Sequence, residues 1–534
     1  MAFNDKQMAS EAENAAFGNG TTAETAPEAD AAMETAPAEA MEAEIGAPAS
    51  GGHGDDADEQ VNRLGTGSIP KLIVEFAIPA IAGYLVNAAY NIIDSIFLGH
   101  AIGAIGIAAT TVANPIMTVF LAIAMLVGTG GNALCALKLG EGRKDVAERT
   151  LGNTLFLCVI VWVAVCIVAS CPPAMDALLS LSSATDEVRP YAYSFMQIIF
   201  YGYIVQCVGF GINHFIRTAG APNRALLTMI IGTIGCIVFN YIFVILLGMG
   251  VAGSALATVC GQSLSCISVL WYFIFTKGVP LKLRWKNLKP NWALCGRIIV
   301  LGLASFALQA GMAVTNFLTN MLLVHYGELS PLGADAALAS IGLAVRVIMF
   351  LFTPLFGVSI ALQPLLGFNY GAKNFNRVRI TLKDGIIAAV GVGTVLWALA
   401  QIFALQIVAI FGLNDPSLSE FTAYVLRVMI AVMPIVGYQI VGSNYFTATG
   451  QPAKSIILGL SRQIIFLIPL MFVLPELLPT LIPGMQGLDA VYIATPVADV
   501  CAILITTVFV VLEWRRLKRR EAGQEAGAAE GEAA

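Results

Sequence analysis

The feature that most constrains this sequence is a series of long apolar runs that follow one another from Ser68 almost to the end of the chain. A helix needs about 20 residues, at about 1.5 Å each, to cross roughly 30 Å of hydrocarbon. Because lipid offers no partner to free backbone groups, runs of this length predict transmembrane helices, kinked where Pro79, Pro115, Pro354 and Pro364 interrupt them. Twelve runs qualify, and they begin near Lys71, Ile105, Leu151, Tyr191, Leu226, Ala252, Ile298, Ala339, Ile386, Phe421, Ser455 and Val491.

Composition excludes a water-soluble globule, since only 12% of the 534 residues are charged where a soluble domain carries about 25%. Residues 1–62 differ from the rest, because they hold 14 of the 35 acidic residues and one of the 29 basic ones. They contain too little apolar surface to fold, so we expect a disordered acidic cytosolic tail that is dispensable for function. The ten cysteines form no CxxC pair and no Cys/His cluster, so we expect neither disulfides nor a metal site.

The Lys and Arg residues gather at every second loop, which predicts that the chain crosses the cell membrane many times and that both termini lie in the cytosol. Only Arg189, Arg346 and Arg427 fall elsewhere. The other 26 lie at Lys6, Arg63 and Lys71 and in Lys138–Arg149, Arg217–Arg224, Lys277–Arg297, Lys373–Lys383, Lys454–Arg462 and Arg515–Arg520.

The two halves of the chain repeat. LGEGRKDVAERT at Leu139 matches YGAKNFNRVRIT at Tyr370, and FIRTAGAPN at Phe215 matches YFTATGQPA at Tyr445, at offsets of 231 and 230. Six spans is an even number, so the halves point the same way and are related by an axis along the membrane normal. We therefore predict an N-lobe (63–276), a cytosolic loop (277–297), a C-lobe (298–514) and a cytosolic C-terminal tail (515–534). Paired bundles of this kind form a cleft between them, which is the plan of a transporter.

Several function classes lack their motifs. No GxxxxGK[ST] sequence is present to bind a nucleotide, and neither HExxH nor a spacing typical of Ser/His/Asp catalysis occurs. The basic residues are spread over membrane loops, whereas a nucleic-acid site needs a basic face with aromatics. We expect no cofactor, no nucleic-acid partner and no enzymatic activity.

The first span carries the most informative polar residues. Asn87, Asn91 and Asp94 are spaced i, i+4 and i+7, so they share one helix face. Intramembrane acids usually face a cavity, and an apolar surrounding favours the neutral form of a carboxyl, so Asp94 is a candidate for carrying a proton. The alternative is a hydrated structural residue near the outer interface.

The later spans offer weaker candidates for lining a cavity. Gln309, Asn316 and Asn320 form one stripe of the seventh span, and ordinary interhelical hydrogen bonding explains them equally well. Arg346 in the eighth span either faces the cleft or binds a carbonyl. We interpret Asp499 as a structural hydrogen-bonding residue of the last span.

His214 and Arg217 lie at the cytosolic end of the fourth span. We interpret them as a solvated helix end.

Three segments together carry a family resemblance: IPKLIVEFAIPAIAGYLVNAAYNIIDSIFLG in the first span, GMGVAGSALATV after the fifth and QPLLGFNYGAKNFNRV after the eighth. In this order they resemble the multidrug and toxic compound extrusion (MATE) family, most closely its bacterial DinF and MepA branch. The resemblance implies two six-helix lobes around a central cavity. It also implies export of amphipathic, often cationic, small molecules by alternating access, in antiport against protons or sodium.

Carried over to this sequence, the resemblance makes Asp94 the cation or proton site of the N-lobe and Pro79 the residue at which the first helix bends. The family's fifth span commonly reads N-x-x-x-D, whereas Cys236 and Asn240 occupy those places here. The resemblance therefore favours proton coupling through Asp94 alone, with Asn240 in the cavity wall. We expect a monomer. A flippase for lipid-linked precursors, or another metabolite exporter of the same superfamily, is the alternative.

The repeat predicts that its two basic loops lie on one side of the membrane. In a background without the native cysteines, single cysteines at Lys144 and Asn374 should react with an impermeant thiol reagent only from the cytosolic side. Reaction of either cysteine in intact cells would contradict the predicted topology.

Overall fold

The computed structural model describes residues 62–102, 104–181, 188–330, 333–410 and 416–533, and this part of the chain contains helices and no strand. Ten helices are long and apolar enough to cross a membrane, and two bent pairs of helices complete twelve spans. The predicted all-α membrane fold is confirmed. The predicted acidic tail lies outside the described residues, apart from Asn62.

The spans are numbered in chain order: α1 (Ile69–Ile102), α2 (Ala104–Gly140), α3 (Lys144–Ala169), α4 (Arg189–Tyr201 with Tyr203–Thr218), α5 (Pro222–Leu246), α6 (Gly250–Phe275), α7 (Trp292–Glu328), α8 (Ala334–Gly371), α9 (Phe375–Ile402), α10 (Pro416–Met429 with Met433–Ala448), α11 (Pro452–Leu481) and α12 (Gly487–Ala533). Helix Pro172–Leu181 precedes α4, a 3-10 turn at Trp285–Leu288 precedes α7, and helix Ala404–Ile410 precedes α10.

Every span begins before the residue predicted from its apolar run, because polar and basic residues continue the helices past the hydrocarbon. α9 begins at Phe375 instead of Ile386. α7 begins inside the predicted loop 277–297, where the Asn291 side chain caps it by accepting bonds from the amides of Ala293 and Leu294.

In the predicted C-terminal tail, residues 515–534, the helix of α12 continues as far as Ala533. Side-chain contacts with neighbouring spans hold this extension in place. Arg379 of α9 forms an ion pair with Glu521 at 3.0 Å. Arg520 donates to the Tyr370 hydroxyl at 3.1 Å.

Two spans are bent at matching places. α4 bends by 55° at Gly202, and α10 bends by 47° at residues 430–432, about 230 residues later. Neither bend falls at a proline that the sequence analysis singled out. α1 contains Pro79 and continues as helix on both sides of it.

The repeat is visible in the backbone of the loops. Gly220 and Gly450 have φ angles of 83° and 77°, and Gly142 and Lys373, which the repeat pairs at an offset of 231, have 74° and 56°. L-residues rarely adopt this left-handed conformation. The same turns therefore precede α3 and α9, and α5 and α11.

The two lobes, α1–α6 and α7–α12, meet where α1 packs on α8 and α2 packs on α7. We call the face that holds the α2–α3, α4–α5, α6–α7, α8–α9 and α10–α11 connections the basic side. Glycines bring the backbones together in the half of the bundle nearest this face. A Cβ on Gly302 of α7 would lie 1.8 Å from the Leu126 carbonyl oxygen of α2, and one on Gly140 would lie 2.0 Å from that of Phe368.

Candidate functional site

A cavity of about 490 Å³ lies between the lobes, with walls from α1, α2, α4 and α6 on one side and α7, α8, α10 and α11 on the other. This volume is in the range of sites that hold small organic molecules. Most of its lining residues lie well inside their spans, and Thr447 and Ser455 extend it towards the α10–α11 connection.

The cavity wall mixes amides, hydroxyls, aromatic rings and methionines. Among the described residues that line it, Arg462 is the only one with a formal charge, and no carboxylate is present. Aromatic faces attract cations, and methionine adapts to irregular apolar shapes. The amides are Asn87, Asn114, Gln206, Gln262, Gln309, Gln363, Gln439 and Asn444, and the rings and methionines are Tyr84, Tyr90, Phe210, Phe356, Met117, Met125 and Met312.

Hydrogen bonds between the lobes close the cavity towards the basic side. Thr129 donates to the Ser305 hydroxyl at 2.8 Å, and the Asn132 amide donates to the Gln363 side-chain oxygen at 2.9 Å. Gly302, with its close approach to α2, lies beside this layer. We call these five residues the basic-side seal.

Asp94 lies in the N-lobe between three spans. The Asn240 amide of α5 and the Ser254 hydroxyl of α6 both donate to Asp94 Oδ1, each at 2.9 Å. Both bonds end on one carboxyl oxygen, so a proton on Oδ2 leaves them in place. Asn240 is fully buried, and its Oδ1 has no hydrogen-bond partner in the described part of the protein.

A further hydrogen bond lies between the cavity and the Asp94 cluster, by which we mean Asp94, Asn240 and Ser254. One helical turn below Asp94, the Tyr90 hydroxyl bonds the Thr258 hydroxyl at 2.6 Å, and both residues line the cavity. Thr258 lies one turn after Ser254 on α6. Two hydrogen bonds on successive turns, Ser254 to Asp94 and Tyr90 to Thr258, therefore join α1 and α6. Asp94 is therefore separated from the cavity wall by one turn of helix.

Asp94 and Asp499 are both held by residues at π-helical turns. The turn Tyr241–Leu246 begins directly after Asn240, and the turn Ser461–Leu467 contains Arg462. Such turns shift the register of the side chains that follow and are frequent at functional sites. The apolar pattern of the sequence did not reveal either turn.

Arg462 forms a buried ion pair with Asp499 of α12 and lies over the Phe352 ring, 5.3 Å from its centroid. The interpretation of Arg462 as part of a basic loop was wrong, because it lies ten residues inside α11. Sequence reasoning missed it as a cavity residue. The available signal was Asp499, an intramembrane acid that needs a partner of opposite charge.

The structure brings only some of the predicted site residues together. Asn87 and Gln309 line the cavity from opposite lobes, and Asp94 contacts Asn240. The side chain of Asn91 lies outside the described residues. Three predicted residues, Asn316, Asn320 and Arg346, are exposed, and none of them lines the described cavity.

His214 and Arg217 do not form a solvated helix end. Both side chains are almost fully buried, with 3% and 2% of their surface exposed. Packing of this end of α4 against α5 and α2 encloses them, and Tyr84 of α1 and Met229 of α5 line the same small pocket. The sequence interpretation of these two residues was wrong.

Comparisons with a family profile and with individual proteins give the same family. The family profile described as MatE matches residues 79–242 and 306–473, once in each lobe and over more than half of the chain. The multidrug export protein MepA of Staphylococcus haemolyticus (strain JCSC1435) is 25% identical over 459 residues, which cover 86% of this chain and 96% of that protein. MepA of Staphylococcus aureus (strain NCTC 8325 / PS 47) is 23% identical, with coverages of 84% and 96%.

Solved structures agree with the fold. The MATE multidrug transporter DinF-BH, determined in complex with a ligand, has 32% identity and a TM-score of 0.75, and the match covers 84% of this chain and 96% of that one. An outward-facing multidrug resistance MATE transporter has a TM-score of 0.78 at 23% identity, covering 86% and 98%. The second match shows the fold alone.

If the basic-side seal closes the cavity, one added methyl group in it should let a reagent enter the cavity from the basic side. Gly302→Ala places a Cβ against the α2 backbone and separates α2 from α7. A single cysteine at Met312 should then react with an impermeant thiol reagent from the basic side about tenfold faster, the effect of a shift of about 1.4 kcal/mol between two states. Gly296→Ala is the control, since its Cβ would meet nothing within 4 Å on the same helix. Equal rates in the two variants would mean that these glycines do not seal the cavity.

Proposed function

The chain belongs to the MatE family, and from this premise we propose that it is a secondary active multidrug exporter. In this proposal it exports amphipathic, often cationic, small molecules by alternating access. Proton entry through Asp94 drives the export. The observation that carries the proposal is the position of Asp94, one helical turn from the wall of a cavity between two lobes.

The chemistry of the cavity supports the substrate class. Its volume of about 490 Å³ suits one drug-sized molecule. Rings and methionines offer contact to flat apolar groups, and the amides accept or donate hydrogen bonds in many orientations. A lipid-linked diphosphate would need free basic residues, whereas Arg462, the one charged residue among those described in the cavity wall, is neutralised by Asp499. The names of the MepA relatives, multidrug export proteins, agree with this choice.

The distribution of basic residues supports the orientation. If the basic side is cytosolic, both termini lie in the cytosol of a bacterium and the seal closes the cavity from the cytosol. The conformation described here is then the one from which substrate has left or is about to leave. We expect the exporter to work as a monomer, because each chain holds both lobes of the cavity.

Asp94 couples the entry of the proton to the export of the substrate, because it shares contacts with the helices that form the cavity wall. When a proton from the outer side neutralises Asp94, its attraction for the Asn240 and Ser254 donors weakens. The hydrogen bond between Tyr90 and Thr258 also joins α1 and α6, so the weaker hold on Asp94 affects the cavity wall that these two residues line. When one proton enters and one uncharged substrate molecule leaves, a single charge crosses the membrane and gathers about 2.3 kcal/mol per 100 mV, enough for a roughly fiftyfold concentration ratio. Exchange of one proton for one monovalent cation moves no net charge, so the pH gradient alone drives it. One carboxyl is therefore sufficient.

Sodium is the second candidate for the coupling ion, and one observation favours it. Asn240 Oδ1 is a buried acceptor without a partner in the described residues, next to the Asp94 carboxyl and the Ser254 hydroxyl. Hard cations bind such oxygen groups. We favour protons because Asp94 is the only carboxyl in this cluster.

Asp94→Asn tests the proposal directly. The amide keeps the size of the side chain but cannot carry a proton, so efflux driven by a pH gradient should fall to the background of empty proteoliposomes, while equilibrium binding of substrate stays within about tenfold. Glu75→Gln is the matched control, because Glu75 lies on the same helix and forms an ion pair with Arg63 at 3.0 Å near the basic side. It should retain pH-driven efflux. If the Asp94→Asn protein still pumps against a gradient, Asp94 is not the coupling residue.

Asn240→Asp tests whether the missing second acid sets the ion preference. A carboxylate 2.9 Å from Asp94 raises the affinity of the cluster for a cation and makes the two acids share protons. Efflux should persist, with a shifted pH dependence or a new response to sodium. An unchanged pH profile and an unchanged sodium response would show that Asn240 does not take part in coupling.

A further inference from the structure

Arg217, on the last turn of α4, is the largest fully buried side chain in the described part of the protein. A guanidinium group stays protonated at any physiological pH, so this position holds a positive charge. Buried charges of this kind are normally paired with an opposite charge, because leaving one unpaired in an apolar interior is very costly.

No such pair is present among the described residues. No carboxylate oxygen within that part of the chain lies within 4.0 Å of the Arg217 guanidinium. Its Nη1 bonds His214 Nδ1 at 3.3 Å, and its Nη2 donates to the sulfur of Met229 at 3.5 Å. Both partners are neutral. Arg462, a largely buried arginine of α11, shows the contrast, because Asp499 balances its charge.

The bond between Arg217 and His214 fixes the histidine tautomer. Arginine can only donate, so His214 Nδ1 must accept and the ring proton lies on Nε2. The ring is held edge-on against Phe210, with centroids 5.6 Å apart. His214 Nε2 is therefore a buried N–H donor in a fixed direction.

Three buried polar atoms around Arg217 have no partner in the described protein: Arg217 Nε, His214 Nε2 and the Tyr84 hydroxyl. The first two are donors, and the third can donate. The residues that carry them line one small cavity of about 30 Å³ between α1, α4, α5 and α6. A water needs roughly 10–15 Å³ by this measure, so the space suits one small ion or one or two waters.

The donors favour an anion over water. A water can donate to side-chain oxygens of the wall, such as those of Thr233 and Gln262, but it leaves the charge of Arg217 unbalanced. A halide ion accepts hydrogen bonds from donors in this wall and also balances the charge. The small cavity lies directly beside the central cavity, since Tyr84, Asn87, Phe210 and Gln262 line both.

We propose that the pocket formed by Arg217, His214 and Tyr84 binds one small monovalent anion of the size of chloride. The anion completes the N-lobe by balancing the Arg217 charge. This site is separate from the Asp94 cluster, and the inference does not depend on the transport activity.

Thermal unfolding of the purified full-length protein tests the site. Potassium gluconate is replaced stepwise by potassium chloride at constant ionic strength, and the midpoint is followed by tryptophan fluorescence. A ligand that binds only the folded state raises the midpoint in a saturable way, here by about 2–4 °C. Bromide should act like chloride, and sulfate should not. A midpoint that does not depend on chloride would overturn the proposal.

Two variants and a control locate the effect. Arg217→Gln should abolish the chloride-dependent rise. Tyr84→Phe removes one donor and keeps the charge, so it should raise the half-saturating chloride concentration about tenfold, and it decides the question if Arg217→Gln does not fold. Arg189→Gln is the control, because Arg189 lies at the other end of α4 and forms an exposed ion pair with Asp176 at 3.1 Å, and it should keep the wild-type response. A wild-type response in Tyr84→Phe and in any folded Arg217→Gln, or a response lost only in Arg189→Gln, would refute this location.

Discussion

The absence of water in the hydrocarbon core governs this structure, because every buried polar group and charge must find its partner within the protein. The backbone meets this demand by forming helices in all twelve spans. Two intramembrane carboxyls meet it inside the protein, since Asp94 is held by neutral donors on α5 and α6 and Asp499 is paired with Arg462. Arg217 has no carboxylate partner in the described part of the chain, so its charge needs a partner from outside. Each solution implies a different role: an exchangeable proton, a fixed ion pair and an anion site.

The second constraint on the structure, beside these polar clusters, is the close approach of the two lobes on the basic side. Gly302 and Gly140 allow backbone contact that any larger residue would prevent, and Thr129 bonds Ser305 beside the first of them. Interfaces made of such short contacts are either formed or broken, since packed side chains do not deform continuously. The seal therefore has the character of a gate, and the Asp94 cluster lies within one helical turn of the cavity above it.

Much of the architecture could be predicted from the sequence, because apolar length and the spacing of basic loops are physical requirements of a membrane protein. The twelve spans and the repeat followed from these, and the i, i+4, i+7 face of α1 pointed to Asp94. The bends at Gly202 and at residues 430–432 and the π turns could not be predicted, because they depend on packing between distant helices. For the same reason the sequence did not predict the places of two arginines. The partner of Arg462 lies 37 residues away, and the burial of Arg217 depends on α1 and α5.

The central claim is that proton entry at Asp94 drives export. The most direct measurement uses wild-type protein in proteoliposomes, with a pH gradient and a sodium gradient imposed separately, and follows transport of a fluorescent amphipathic cation. The account predicts accumulation against its gradient when only the pH gradient is present, in sodium-free buffer, and none when only the sodium gradient is present at equal pH. Accumulation driven by sodium alone at constant pH would contradict it.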